Sequence, residues 1–295
     1  MWRSIIVSDG EKLSTRENWL IIDMPDKTQK RVPLGDIYSI VVDNRSVMIT
    51  VPLISRLAEH QIHLVITDEK HLPVSVTLPL NTHYRCYKVL KNQMKLSHQY
   101  KGETWRRIIS AKIENQASVL KKHYVEDAVI HRMRELAQEV IAHDSGNREG
   151  IAAKMFFRHL YGANFVRFSD DKINACLNYG YAILRSSITK TFIAYGFNCV
   201  LGIHHISETN AFNLSDDFME PFRAIVDDWV CSNPDSVEAG LLKPTKAGLI
   251  NLLNENIIFD GKVTKLRYAF DLMVRSWVSS IEQNNSERLI LPRII

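Results

Sequence analysis

Residues 104–120, TWRRIISAKIENQASVL, divide this chain into two kinds of sequence. Trp105, Ile108, Ile109, Ile113 and Leu120 recur at spacings of three and four, the period of one long helix with an apolar face. Downstream, Val129, Met133, Leu136 and Val140 repeat the pattern in a second helix. Upstream the period is different. Trp2–Val7, Trp19–Met24, Ile37–Val42 and Ile62–Thr67 are short runs rich in Ile and Val, separated by turn residues such as Ser8-Asp9-Gly10 and Pro25-Asp26-Lys27, and they read as strands. Within them Leu53, Ile54, Leu57 and Ala58 share a helical face, so one short helix over 52–60 interrupts the strands, and Pro73 and Pro79 close the region. The fold class is therefore α+β, with a strand-rich domain over residues 1–80 and a mainly helical domain over 81–295.

Within the helical half, His143–Asn147 is a loop by composition, and Asn147 is positioned to cap a helix over 148–160 whose first turn holds Glu149. Asn213–Arg223 reads as the start of another helix, with Ser215 or Asp217 as cap and Pro221 near its first turns. Ser232–Ser236 breaks a helix, and 245–259 with 263–281 form a closing helical pair split at Asp260-Gly261.

Composition excludes several classes. At 295 residues with 45% hydrophobic and 24% charged residues, the chain can bury a core in each half. Its four cysteines contain no CxxC pair, which argues against a zinc knuckle or a disulfide framework and for a reducing, cytoplasmic setting. No run of eighteen apolar residues exists and the first residues do not resemble a signal peptide, so neither a membrane partner nor export is expected. The net charge of +4 is unevenly distributed: residues 85–134 hold twelve Lys/Arg against four Asp/Glu, an excess of +8. Such a stripe suits a phosphate backbone, with Arg106, Arg107, Lys121 and Lys122 as contact candidates, although most charged helices are simply solvated.

Three stretches carry candidate chemistry. Glu149 is followed by Gly150, Ala152 and Ala153, small residues that leave room beside its carboxylate, while an acid in a first turn more commonly just complements the helix dipole. Gly202-Ile203-His204-His205 follows an apolar stretch, so one of the two histidines faces inward as a core residue or a metal ligand. Asp217 and Glu220, three apart, share a helical face suited to a hard divalent cation or else form a capping pair.

Taken in order, NREGIAAKMFF (147–157), INACLNYGYAILR (173–185) and the segment from Leu201 to Asp227 containing GIHH and LSDDFMEPFR resemble the CRISPR-associated spacer integrase, the nuclease of CRISPR adaptation. The resemblance spans the whole chain and is closest to the type II form, subtype II-A. It implies an N-terminal β-sandwich before a helical catalytic domain. It also implies that Glu149, His205, which stands three after Gly202, and Glu220 hold Mg²⁺ or Mn²⁺ and are the catalytic residues, with Asn178, Tyr181 and Asp217 in support. The implied reaction is attack by the 3′-hydroxyl of a short DNA fragment on a phosphodiester at the repeat boundary. The implied partners are double-stranded DNA (prespacer and CRISPR repeat), a second copy in a homodimer, a small ferredoxin-like adaptation protein completing a heterohexamer, other type II adaptation proteins and the RNA-guided nuclease. The strand-rich domain, which holds no cluster of metal-type ligands, is expected to dimerise and dock partners. A DNA-binding scaffold without chemistry is the alternative, and the intact ligand set favours the enzyme.

Overall fold

The computed structural model describes residues 3–69, 73–77, 79 and 85–294; Trp2 and the expected domain boundary at 80/81 lie outside the described residues. The N-terminal part contains β1 (Arg3–Val7), β2 (Lys12–Arg16), β3 (Trp19–Asp23), β4 (Gln29–Pro33), β5 (Ile37–Val42), β6 (Met48–Ile49), helix α1 (Val51–Glu59), β7 (His63–Thr67) and β8 (Pro73–Thr77). Two four-stranded sheets result, in the orders β1-β5-β7-β8 and β4-β3-β2-β6. In the first, β1, β5 and β7 run parallel and β8 closes the edge antiparallel.

The two-residue alternation of a strand explains how the first sheet serves two cores. Ile40, Val42 and Leu64 face Leu13, Leu20 and Ile22 of the other sheet and Leu53 and Leu57 of α1. Val41 and Val65, one residue out of step, join the core of the helical part.

The helical part contains α2 (Cys86–Met94), α3 (His98–Lys122), α4 (Asp127–Gln138), α5 (Arg148–Tyr161), α6 (Lys172–Ala194), α7 (Asn213–Met219), α8 (Arg223–Ser232), α9 (Pro234–Glu238), α10 (Lys243–Asn251), a hairpin of β9 (Asn256–Phe259) and β10 (Lys262–Lys265), and α11 (Leu266–Glu282). The expected α+β class holds, as does the long helix at 104–120. Ser97 caps α3 by accepting from Tyr100 N at 3.1 Å, and Asp171 caps α6 by accepting from Asn174 N at 2.7 Å. Trp105, Ile108, Ile109 and Ile113 of α3 are each at most 1% exposed. Burial at about 1.5–3 kcal/mol per large apolar side chain makes α3 a fixed axis for whatever else it carries. A joint of charged groups ties the two parts together: Lys246 Nζ of α10 meets Asp43 Oδ2 at 2.5 Å, and Lys190 Nζ of α6 donates to Tyr38 O at 3.0 Å and lies 4.0 Å from the centre of its ring.

Four expectations are corrected. Pro73 opens strand β8 instead of closing the region, on the edge of its sheet where a missing N–H is tolerated. The expected closing helical pair is interrupted, because residues 256–265 form the β9–β10 hairpin. Asp260 and Gly261 adopt positive φ (51° and 71°), the twist that joins antiparallel strands. Asn147 stands at the N-cap position of α5 as expected, but it is left-handed (φ 50°) and its side chain makes no cap bond; Asp144 supplies the cap instead, accepting from Arg148 N and Glu149 N, each at 2.9 Å. Ser215 and Asp217 are not caps either, since α7 begins at Asn213 and encloses both.

Candidate active site

The apolar stripe of α3 contains one lysine. Lys112 is 9% exposed, and burying an ammonium costs several kcal/mol unless it is paired. Its Nζ lies 2.5 Å from Glu149 Oε1 and 2.5 Å from Glu220 Oε2, so one cation joins two carboxylates that stand 71 positions apart in sequence. Glu149 is set by the Asp144 cap at the start of α5. Glu220 follows α7 at the start of a tight turn, Glu220–Phe222, and is 4% exposed. Arg223 Nε, 2.9 Å from Glu220 Oε1, is its second cation. Burial works against ionisation of Glu220, but Arg223 and Lys112 outweigh it and hold the carboxyl below its usual range. Burial likewise opposes the charge on Lys112, and Glu220 and Glu149 raise it above the ordinary lysine value.

His205 is placed by Asp217, whose side chain is fully buried. Asp217 Oδ2 accepts from Ile203 N (2.6 Å) and His204 N (3.1 Å), and its Oδ1 accepts from His205 N (3.0 Å) and lies 2.7 Å from His205 Nδ1. The loop can wrap the carboxylate this closely only at a glycine: a Cβ on Gly202 would stand 2.3 Å from His205 O and 2.8 Å from Asp217 Oδ2. Donation from His205 Nδ1 to the Asp217 carboxylate raises the His205 pKa and commits Nδ1, leaving Nε2 for a ligand. His204 instead stacks flat on Trp105, with ring centres 4.1 Å apart and planes within 2°, and burial lowers its pKa. Neither histidine faces inward as expected, His204 being exposed and the His205 side chain 42% exposed; the two differ in their partners, Trp105 for His204 and Asp217 for His205. Asp217 and Glu220 do not act as a pair on one helical face: Asp217 holds the loop, and Glu220 turns to α3.

Tyr181 of α6 stacks under Arg223, whose guanidinium carbon is 4.8 Å from the ring centre, and donates to Asp227 Oδ1 at 2.6 Å. Burial pushes Asp227 up to about 7. Asn178 Oδ1 accepts from Arg167 Nη2 at 2.7 Å. These groups flank a cleft of about 470 Å³ whose walls include Lys112, Lys154, Arg158, Arg167 and Arg223, with Phe168 at its rim, 84% exposed.

The structure brings Glu149 and Glu220 together on Lys112, while His205 is held separately on the 202–205 loop by Asp217. Among the described residues no three His, Cys, Asp or Glu side chains form a metal-holding group, and Lys112 stands between the two carboxylates. The donors nevertheless suit a hard divalent cation. Glu220 Oε2 is buried and faces the Lys112 ammonium as its counter-charge, and two carboxylates with an imidazole oriented by a further acid are a common ligand chemistry. Of the backbone-contact candidates, Arg106 and Arg107 pair with Glu287, Lys122 Nζ lies 2.7 Å from Asp228 Oδ2, and Lys121 is exposed. Sequence reasoning missed the placement of Lys112, counting it with the basic stripe, though its position between Ile109 and Ile113 on a buried face was a signal. It also missed Asp144, Arg167 and Arg223.

Comparison with known proteins speaks to the family and the fold. The family model for CRISPR associated protein Cas1 matches residues 4–235. The chain is 38% identical over 296 residues to the CRISPR-associated endonuclease Cas1 of Neisseria meningitidis serogroup C (strain 8013), covering 100% of this chain and 97% of that one. A casposase bound to integration product superposes with a TM-score of 0.80 at 20% identity, covering 96% and 91% of the two chains. A Cas6-RT-Cas1–Cas2 complex superposes with a TM-score of 0.75 at 18% identity, covering 100% of this chain and 36% of that one. At these identities the two structures speak to the fold alone. With four-fifths of its length inside the family model and a full-length relative at 38% identity, this chain belongs to the CRISPR-associated Cas1 family.

Proposed function

We propose that the protein is a divalent-metal-dependent DNA endonuclease and integrase of CRISPR adaptation, which joins the 3′-hydroxyl ends of short DNA fragments to the repeat boundary by transesterification. The observation that carries this reading is the meeting of Glu149 and Glu220 on Lys112 beside a cationic cleft, with His205 oriented by Asp217. Glu149, Glu220 and His205 Nε2 would hold Mg²⁺ or Mn²⁺, which when bound stabilises the charge developing at phosphorus and acidifies the attacking hydroxyl. The chain's own groups do the rest. Asp217 keeps the imidazole turned, the Asp144 cap fixes Glu149, and Lys154, Arg158 and Arg167 line the cleft as counter-charges for the DNA backbone. Duplex DNA, a second copy and a small ferredoxin-like adaptation protein are the proposed partners, and the Cas2 named in the solved complex supports the last of these. The type II assignment, with its further adaptation proteins and RNA-guided nuclease, rests on the sequence resemblance.

The placement of Lys112 between the carboxylates favours one second reading, a scaffold that binds DNA without chemistry. Strand transfer on branched DNA separates the two. Activity is expected in Mn²⁺ and absent in EDTA, with Glu149→Ala, His205→Ala and Glu220→Ala each losing it and pairs of these losing little more, since ligands of one ion act as a unit. His204→Ala should retain measurable activity. Normal integration in Mg²⁺ by a folded Glu149→Ala variant would refute the site.

A further inference from the structure

Two carboxylates and two cations, Glu149, Glu220, Lys112 and Arg223, form a cluster with no net charge. A divalent cation added to it leaves an excess of two positive charges in a buried place. A cation bridging the two carboxylates at roughly 2.0–2.1 Å, the ordinary Mg²⁺ contact range, would need the space between them, where the ammonium now stands 2.5 Å from each. One of the two must yield. The backbone of α3 cannot, because Ile108, Ile109 and Ile113 are fully buried around Lys112. The lysine head can, because it ends a flexible four-carbon stem. Its other open side is the cleft, where Lys154, Arg158 and Arg167, outside the neutral cluster, leave a surplus of positive charge for an anion to neutralise.

We propose that Lys112 is a placeholder cation: it holds Glu149 and Glu220 together until a divalent ion arrives, then turns into the cleft to meet a DNA phosphate. The inference rests on the reading of Glu149 and Glu220 as metal-holding residues. Its consequence is reciprocal coupling. A phosphate in the cleft draws the ammonium off the carboxylates and eases metal binding, and a bound metal frees the ammonium for DNA. Arg223 does not serve as the switch, since its guanidinium is held over Tyr181.

The test measures Mn²⁺ affinity of the full chain by electron paramagnetic resonance without DNA, and affinity for a duplex with 3′ single-stranded ends by fluorescence anisotropy in Mn²⁺ and in EDTA. Lys112→Met removes the competing charge and should tighten Mn²⁺ binding by about fivefold, while shrinking the gain in DNA affinity caused by Mn²⁺ by a similar factor. Its melting temperature in EDTA should fall, from unscreened carboxylate repulsion, and recover in Mn²⁺. Lys112→Arg keeps the charge and the fold but grips carboxylates through a rigid fork, so it should weaken Mn²⁺ binding by about fivefold. Unchanged Mn²⁺ affinity in the arginine variant, or weaker Mn²⁺ binding in a folded methionine variant, overturns the proposal. The parent protein and Glu149→Ala serve as controls for the underlying reading. If the parent binds no Mn²⁺ that Glu149→Ala loses, the metal reading fails; if it does and the Lys112 variants change nothing, only the placeholder fails.

Discussion

Asp227 is 1% exposed, with the Tyr181 hydroxyl 2.6 Å from its Oδ1, and burial pushes its pKa to about 7. In the unfolded chain the same carboxyl titrates near 3.9. Between these values the native state holds the proton that the unfolded state has lost, so stability falls as pH rises through this window and the contribution is gone above about 7. Asp227→Asn keeps the shape without the titration. Urea unfolding should show the variant with a flatter dependence between pH 4 and 7, and more stable than the parent at pH 8 by on the order of a few kcal/mol. An unchanged pH slope would show that Asp227 is ionised in the fold. Legibility at this scale was divided. Glu149, His205 and Glu220 stand out in the sequence as candidates because each sits in a family segment at a fixed offset from Asn147, Gly202 and Pro221. Lys112 and Asp144 do not, because their roles come from where α3 and the 142–147 segment pass one another, which no local spacing records.

At the scale of elements, that crossing depends on Gly102. A Cβ there would stand 2.5 Å from the His143 ring, and His143 is already held at a left-handed backbone angle (φ 59°) against His98, 4.0 Å from ring centre to ring centre. Gly102→Ala should therefore push the segment that carries Asp144, and with it the start of α5 and Glu149. Strand-transfer rate is expected to drop about tenfold or more, the usual consequence of displacing a reacting group by a fraction of an ångström to an ångström. Helix propensity moves the other way, alanine being better than glycine by about 1 kcal/mol inside a helix, so the melting temperature should be retained. An active variant would remove this segment from the support of Glu149. The elements themselves were legible where burial is one-sided. The stripe of α3 and the runs of β5 and β7 announced themselves, whereas β2 (KLSTR) and β4 (QKRVP) are largely polar and were passed over. The hairpin was misread for the opposite reason: Leu249, Leu252 and Leu253 continue an apolar helical rhythm straight into Ile257 and Phe259, and only the partner strand beyond Gly261 makes them a ladder.

Over the whole molecule, the strand-rich and helical regions were legible as two patterns but not as one body. The first sheet gives Ile40, Val42 and Leu64 to one core and Val41 and Val65 to the other, and the Asp43–Lys246 pair is 3% and 4% exposed at the joint between them. Period two in a strand tells which residues alternate; it does not tell that both faces are covered. A sheet shared in this way leaves no seam along which heat could separate the regions. A scanning calorimeter should record a single endotherm whose van't Hoff and calorimetric enthalpies agree, as for one cooperative unit. Asp43→Ala, which strands a buried ammonium at a cost of about 3–5 kcal/mol, should move that endotherm to lower temperature as a whole without splitting it.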